Sequence, residues 1–173
     1  MRPASAARLT PSLGWMLAHP ARIIAFGAGS GLLRPAPGTW GSLFAWITFA
    51  PLVAWLQSLT GMAGAAILAL PAAAFVIGIW ACGRAARDMG VADPGGIVWD
   101  EVAAFWLVLA LAPAGFGAQL AAFVLFRFFD IVKPPPIRQA DAHFKGGFGV
   151  MFDDLLAALY TLLVLALWTR WTA

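Results

Sequence analysis

Five apolar runs, broken by very few charges, constrain this chain more than anything else in it. They are Leu43–Leu56, Met62–Cys82, Ile97–Ala112, Gly117–Phe129 and Leu155–Trp171. A membrane-crossing helix needs ~20 predominantly apolar residues, with a range of roughly 17–25. Hydrophobic residues make up 62% of the 173 and charged residues 11%, where a soluble domain carries roughly 45–50% and about 25%. The chain therefore reads as an integral membrane protein. In lipid every backbone polar group must be satisfied within the protein, which favours helices. The expected architecture is an all-α polytopic bundle of four to five transmembrane helices, with a polar site at one face. Several runs reach full length only if flanking polar residues enter the helix ends: Asp100 and Glu101, Arg127 and Asp130, and Asp153 and Asp154. The piece Ile23–Leu33 is too short and too glycine-rich to cross, and is expected to lie at the surface or dip in and return. Residues 1–22 read as an N-terminal segment and residues 23–173 as one membrane-embedded domain.

The turns near Ser58–Gly61 and Pro113–Gly115 carry no charge and should share one side of the bilayer. The N-terminal segment, Arg84–Asp100 and Arg127–Asp154 should share the other. Ten of the eleven Lys and Arg residues, all but Arg170, then fall on that second face. The positive-inside rule makes it cytoplasmic, with the N-terminus in and the C-terminus out. Trp55, Trp80, Trp99, Trp106, Trp168 and Trp171 fall near expected helix ends, as an interfacial aromatic belt would. The N-terminal stretch is basic but lacks the apolar run of a signal peptide. The single cysteine, Cys82, excludes a disulfide within the chain and reads as a packing residue. A net charge of +3 without basic clustering argues against a nucleic-acid partner.

The eight acidic residues are Asp88, Asp93, Asp100, Glu101, Asp130, Asp141, Asp153 and Asp154, all on the expected cytoplasmic face. Five of them, two adjacent pairs and Asp130, border three different helices. Converging carboxylates repel one another, and a divalent cation relieves that repulsion. An oxygen-rich site without histidine or thiolate favours Mg²⁺, Ca²⁺ or Mn²⁺, and Mg²⁺ is often shared between carboxylates and a substrate phosphate. A plainer reading is that acids at helix N-termini simply complement the helix dipole. One such pair would favour that reading; two pairs and Asp130 favour a site. A carboxylate-lined transporter or ion pathway is the alternative class, but no acid falls at midspan. The segment Arg34–Ser42, "RPAPGTWGS", offers a turn, hydroxyls and backbone N–H groups before a helix, which suits an anion. Thr39 or Ser42 could equally be an N-cap. Lys133, Arg138 and Lys145 stand in the stretch "KPPPIRQADAHFKGG". Arg84 with Asp88 and Arg127 with Asp130 have the spacing of helix ion pairs. His143 could act as an acid or base, or be solvated.

Three stretches in order between Phe26 and Ala158 resemble the bacterial phosphatidylglycerophosphatase A family. They are "PAPGTWGSL", "DMGVADPGGIVWDEVAAFW" and "FRFFDIVKPPPIRQADAHFKGGFGVMFDDLLAA". The resemblance implies a small inner-membrane, Mg²⁺-dependent phosphatase of phospholipid biosynthesis. It would hydrolyse phosphatidylglycerophosphate to phosphatidylglycerol and inorganic phosphate. It implies catalytic and metal-holding roles for Asp100, Glu101, Asp130, Asp153 and Asp154, and phosphate binding by Thr39, Ser42, Arg127, Lys133 and Arg138. Ala104 and Ala158 stand where the family pattern leads one to expect glycine. A lipid substrate also gives a reason for acids at the water–lipid boundary, because the phosphate lies at headgroup depth while the acyl chains stay in the bilayer. Either water or an aspartate could attack phosphorus.

Overall fold

Each apolar run becomes a helix, and most are longer than the run that announces them. The computed structural model describes residues 11–61, 63–91 and 94–172. Among them are α1 (Leu13–Leu17), α2 (Pro20–Ala25), a 3₁₀ segment (Gly27–Leu32), α3 (Pro37–Thr60), α4 (Ala63–Met89), α5 (Trp99–Leu111), α6 (Phe116–Val132), α7 (Ile137–His143) and α8 (Gly146–Thr172). The described residues contain no strand. Asp93, Arg2 and Arg8 lie outside them.

Three helices are long and apolar enough to cross a membrane: Pro37–Thr60, Gly64–Met89 and Gly146–Trp171. The prolines inside α3 and α4, Pro51 and Pro71, are tolerated in such helices because neighbouring groups re-satisfy the freed carbonyls. α5 has 13 residues, about 20 Å at the rise of an α-helix, against a hydrocarbon core of roughly 30 Å. It packs against α3, α4, α6 and α8 and buries Val102, Phe105, Trp106 and Val108 among them. The piece Ile23–Leu33 is broken rather than continuous: α2 ends at Ala25, and the following 3₁₀ segment bends at Ala28 and Gly29, both at positive φ. Its Phe26 is fully buried, and the Val98 N–H donates to the Ala25 carbonyl at 2.9 Å, tying this turn to the entry of α5.

Three sequence expectations change. Trp106 is buried, with Nε1–H donating to the Ala45 carbonyl. Trp99 donates to the Ala74 carbonyl and meets Trp106 edge to face at 5.6 Å. These two rings belong to the core, because their polar edges find partners on neighbouring helices; Trp55, Trp80, Trp168 and Trp171 remain exposed. The proline-rich stretch after α6 contains a helix, α7, seated on α8 by Ile137 and Ala140. Finally, α8 begins at Gly146, well before the apolar run that starts at Leu155. Gly147 makes this possible, since a Cβ there would strike the Ile79 carbonyl and the backbone of Gly83 on α4. Small residues of this kind let membrane helices approach closely. Cys82 is buried beside the Met151 sulfur, and Ala104 and Ala158 are buried too.

Candidate active site

The helices alternate in direction, so the starts of α3, α5 and α8 meet the ends of α4 and α6 at one end of the bundle. Asp100 and Glu101 occupy the first turn of α5. Asp130 and Lys133 lie at the end of α6, and Asp141 on α7. Asp153 and Asp154 follow two full turns of α8. The dipole explanation therefore does not reach them, because its effect falls off within the first turn.

These side chains line a cavity of about 190 Å³. Asp100, Glu101 and Asp154 each offer an oxygen, and the three atoms lie within 4.8 Å of one another. Asp154 is 3% exposed, Asp153 6% and Glu101 9%. Asp100 Oδ1, Glu101 Oε2, Asp153 Oδ1 and Asp154 Oδ2 are buried without a hydrogen-bond partner. Two cations brace the rim. Arg127 pairs with Asp130 at 2.6 Å and with Glu101 at 3.6 Å. Lys133 donates to Asp153 and stands 3.4 Å from Asp141. The Lys133 backbone is in the left-handed region, φ 46° and ψ 62°. Strain of this kind concentrates at functional sites, and here it accompanies an ammonium directed at Asp153. Burial works against that ammonium, but Asp153, with Asp141 and Asp154 nearby, outweighs it and holds the pKa above the ordinary lysine value.

Residues 23–169 match the family described as Phosphatidylglycerophosphatase A. A Haemophilus influenzae protein named phosphatidylglycerophosphatase A is 48% identical over 86% of this chain and 88% of its own length. The Escherichia coli protein of the same name is 41% identical over 83% of this chain and 80% of its own. The chain belongs to the phosphatidylglycerophosphatase A family. As a member of it, the protein is a phosphoric monoester hydrolase associated with membranes. A Bacteroides thetaiotaomicron protein named "Putative phosphatidylinositol-3-phosphatase" is 39% identical over 86% of this chain and 92% of its own. No solved structure matches.

Within this family frame, the five acids expected at the site all line one cavity. They divide into a nest of three, Asp100, Glu101 and Asp154, and two flanking acids, Asp130 and Asp153, each engaged by a cation. Of the residues expected to bind phosphate, Lys133 lines the cavity, and Arg127 lies behind it, braced against Glu101 and Asp130. Arg138 is exposed on α7. Neither Thr39 nor Ser42 caps α3, whose N-cap is Ala36 in a left-handed conformation. Ser42 is buried and donates back to the Gly38 carbonyl. The first motif reaches the site through Gly38 instead. A Cβ there would strike Glu101 Oε1 and lie 2.8–2.9 Å from the guanidinium nitrogens of Arg127. Lys145, offered with Lys133 and Arg138 as a cation of an anion-binding stretch, and Asp141, which the third family-like stretch carries, also line the cavity. Asp141 is presented by a helix hidden in the proline-rich stretch, whose buried face is Ile137 and Ala140. His143 stacks edge to face on Phe144 and is exposed.

The residues fit a divalent cation. Buried carboxylate oxygens without partners are costly; Asp100, Glu101 and Asp154 each carry one, and these three residues converge with no thiolate or imidazole in the set. That is a hard-oxygen donor set of the type Mg²⁺ takes.

Proposed function

We propose that this protein hydrolyses phosphatidylglycerophosphate to phosphatidylglycerol and inorganic phosphate, in phospholipid biosynthesis, at the cytoplasmic face of the bacterial inner membrane. The observation that carries the reading is the nest of unpartnered carboxylate oxygens at one end of an apolar bundle. Two relatives, at 48% and 41% identity, bear the name of that activity. Among the described residues, the Lys and Arg side chains other than Arg170 gather toward the same end, which by the positive-inside rule faces the cytoplasm. The proposed topology has five crossings, the short α5 and α6 included, because both connect the charged end to the uncharged turns.

Mg²⁺ is the proposed cofactor, held by Asp100, Glu101 and Asp154 with Asp130 and Asp153 beside them. When bound there it supplies the positive charge that polarises a phosphoryl oxygen. Lys133 faces the same cavity and is placed to bind a second phosphoryl oxygen and offset charge that develops there. Arg127 holds the Glu101 and Asp130 carboxylates in register. Hydrolysis breaks the bond between phosphorus and the lipid's alkoxide oxygen, joins a water oxygen to phosphorus, and delivers one proton to the alkoxide. Direct attack by water and passage through an aspartyl-phosphate both satisfy that balance. A transport pathway is disfavoured because, among the described residues, the acids gather at one end.

The test is phosphate release by the purified full-length protein from phosphatidylglycerophosphate vesicles, with Mg²⁺ and after chelation. Release that requires Mg²⁺ is expected. Preference for phosphatidylinositol 3-phosphate, the substrate in the Bacteroides relative's name, would replace the headgroup assignment while keeping the site.

A further inference from the structure

A second cavity, apolar and about 450 Å³, opens between α4, α5 and α8. Leu68, Ala72 and Val76 of α4, Ala103 and Leu107 of α5, and Leu155 of α8 form its walls. The helices that carry the acids also carry this groove. Ala103 and Ala104 follow Asp100 and Glu101 by one turn, and Leu155 directly follows Asp154. The groove thus starts just deeper than the carboxylates and runs along α4 away from the charged end. Alanine at positions 72, 103 and 104 leaves it unfilled.

Aromatic rings connect the two cavities. Phe144 lines the acidic one. It stands 5.6 Å from Phe148, which meets Phe75 edge to face at 6.5 Å. Phe75 lines the apolar one. Phe144 and Phe148 are 38% and 41% exposed, so this aromatic path lies on the bundle surface.

We infer that the groove between α4, α5 and α8 holds one acyl chain of the phosphomonoester lipid whose phosphate enters the acidic cavity. The inference rests on the proposed lipid substrate and adds where its tail lies. A phosphomonoester lipid is a molecule with an anionic end and an apolar end, and the structure offers one compartment for each, joined along one surface. None of the groove-lining side chains carries a hydrogen-bonding group, which matches a hydrocarbon chain. Seating the tail also fixes how far the phosphate reaches into the carboxylate nest, the kind of positioning that lowers a barrier without new chemistry.

The test uses the full-length protein in phosphatidylcholine vesicles doped with a phosphatidylglycerophosphate that carries a diazirine on one acyl chain. Photolabelling is expected to concentrate on Phe75, Val76 and Leu107. Unlabelled phosphatidylglycerophosphate should compete it away, and phosphatidylcholine should not. Even labelling around the bundle, with exposed Ile47 and Val124 marked equally, would overturn the proposal. A second arm compares Ala72→Trp, which fills the groove, with Ala73→Trp, which lies outside its lining. Ala72→Trp should lower the ratio of long-chain to short-chain turnover by about tenfold, the worth of roughly two buried methylene groups, and Ala73→Trp should leave it unchanged. An unchanged ratio in Ala72→Trp also overturns the proposal. Absence of phosphate release from wild-type protein would count against the substrate assignment instead, and the labelling pattern reads the groove independently of it.

Discussion

The two acidic pairs look alike in the sequence and differ in the structure. Asp100 and Glu101 sit in the first turn of α5, where unpaired N–H groups favour negative charge. Asp153 and Asp154 sit beyond two complete turns of α8, where every nearby N–H already serves the helix. Helix formation gives the first pair a reason to exist and gives the second pair none. Yet Asp154 meets Asp100 and Glu101 within 4.8 Å. A side chain with no local justification, brought to two that have one, points to selection for the assembled nest.

Neutralising one member of each pair tests this most sharply. If α5 only needs its dipole complemented, Asp100→Asn should cost roughly 0.3–1 kcal/mol of stability and leave turnover intact. The expected result is that Asp100→Asn and Asp154→Asn fail alike, each losing about a thousandfold in turnover, the scale of several kcal/mol of transition-state stabilisation. Melting temperatures in chelator should hold or rise, because crowding of buried like charges is relieved. At Mg²⁺ a hundredfold above its dissociation constant, wild type should gain about 2.7 kcal/mol of stability and the variants far less. Near-wild-type turnover in Asp154→Asn would end the assignment of α8 to the site.

The supports of the two pairs differ in kind, and two glycines separate them. At Gly38 an added methyl meets the ends of side chains, Glu101 and Arg127, which can swing away. Gly38→Ala should fold normally and lose about a hundredfold in turnover, the cost of an ångström-scale displacement. At Gly147 the methyl meets backbone, the Ile79 carbonyl and Gly83, which cannot yield without moving α8 off α4. Gly147→Ala should therefore be destabilised by about 1–3 kcal/mol, as overpacked cores are, even though alanine favours a helix by ~1 kcal/mol. Paired melting curves and turnover numbers distinguish the two outcomes. Normal melting in Gly147→Ala would mean that the close α4–α8 approach is not needed.

The same glycine shows what could be read in advance. The apolar runs and the gathering of acids at one end follow from lipid solvation, which acts on every residue, and both were legible. The start of α8 was not. "KGGFGVMF" reads as a loop by propensity, since each glycine disfavours a helix by ~1 kcal/mol, and only the contact of Gly147 with a distant helix reverses that. Trp99 and Trp106 mislead for the same reason: an indole suits an interface until a carbonyl such as Ala45 or Ala74 appears to accept its N–H. In the motif "PAPGTWGS" the hydroxyls suggested an anion site, whereas the residue that lies against Glu101 and Arg127 is Gly38, whose contribution is the side chain it lacks.

The smallest expected effect on turnover comes from an acid outside both pairs. Asp88 is inward-facing too, with a side chain 14% exposed, but its carboxylate is fully answered: Arg22 and Arg84 each donate to it at 2.9 Å. Arg22 also bonds the Trp15 carbonyl and lies over the Trp15 indole at 4.3 Å, so the cluster binds the N-terminal helices to α4. Asp88→Asn removes the charge and leaves Arg22 those other partners. The expected loss is about 1.5–3 kcal/mol of stability, the worth of a hydrogen bond to a charged group, with turnover and Mg²⁺ response close to wild type. A thermal melt and a Mg²⁺ titration on one preparation check both halves. Were Asp88→Asn as inactive as Asp154→Asn, an unpartnered oxygen would no longer mark the acids that matter. The contrast between a carboxylate answered by two arginines and carboxylates that keep a buried, unpartnered oxygen would then have to be given up.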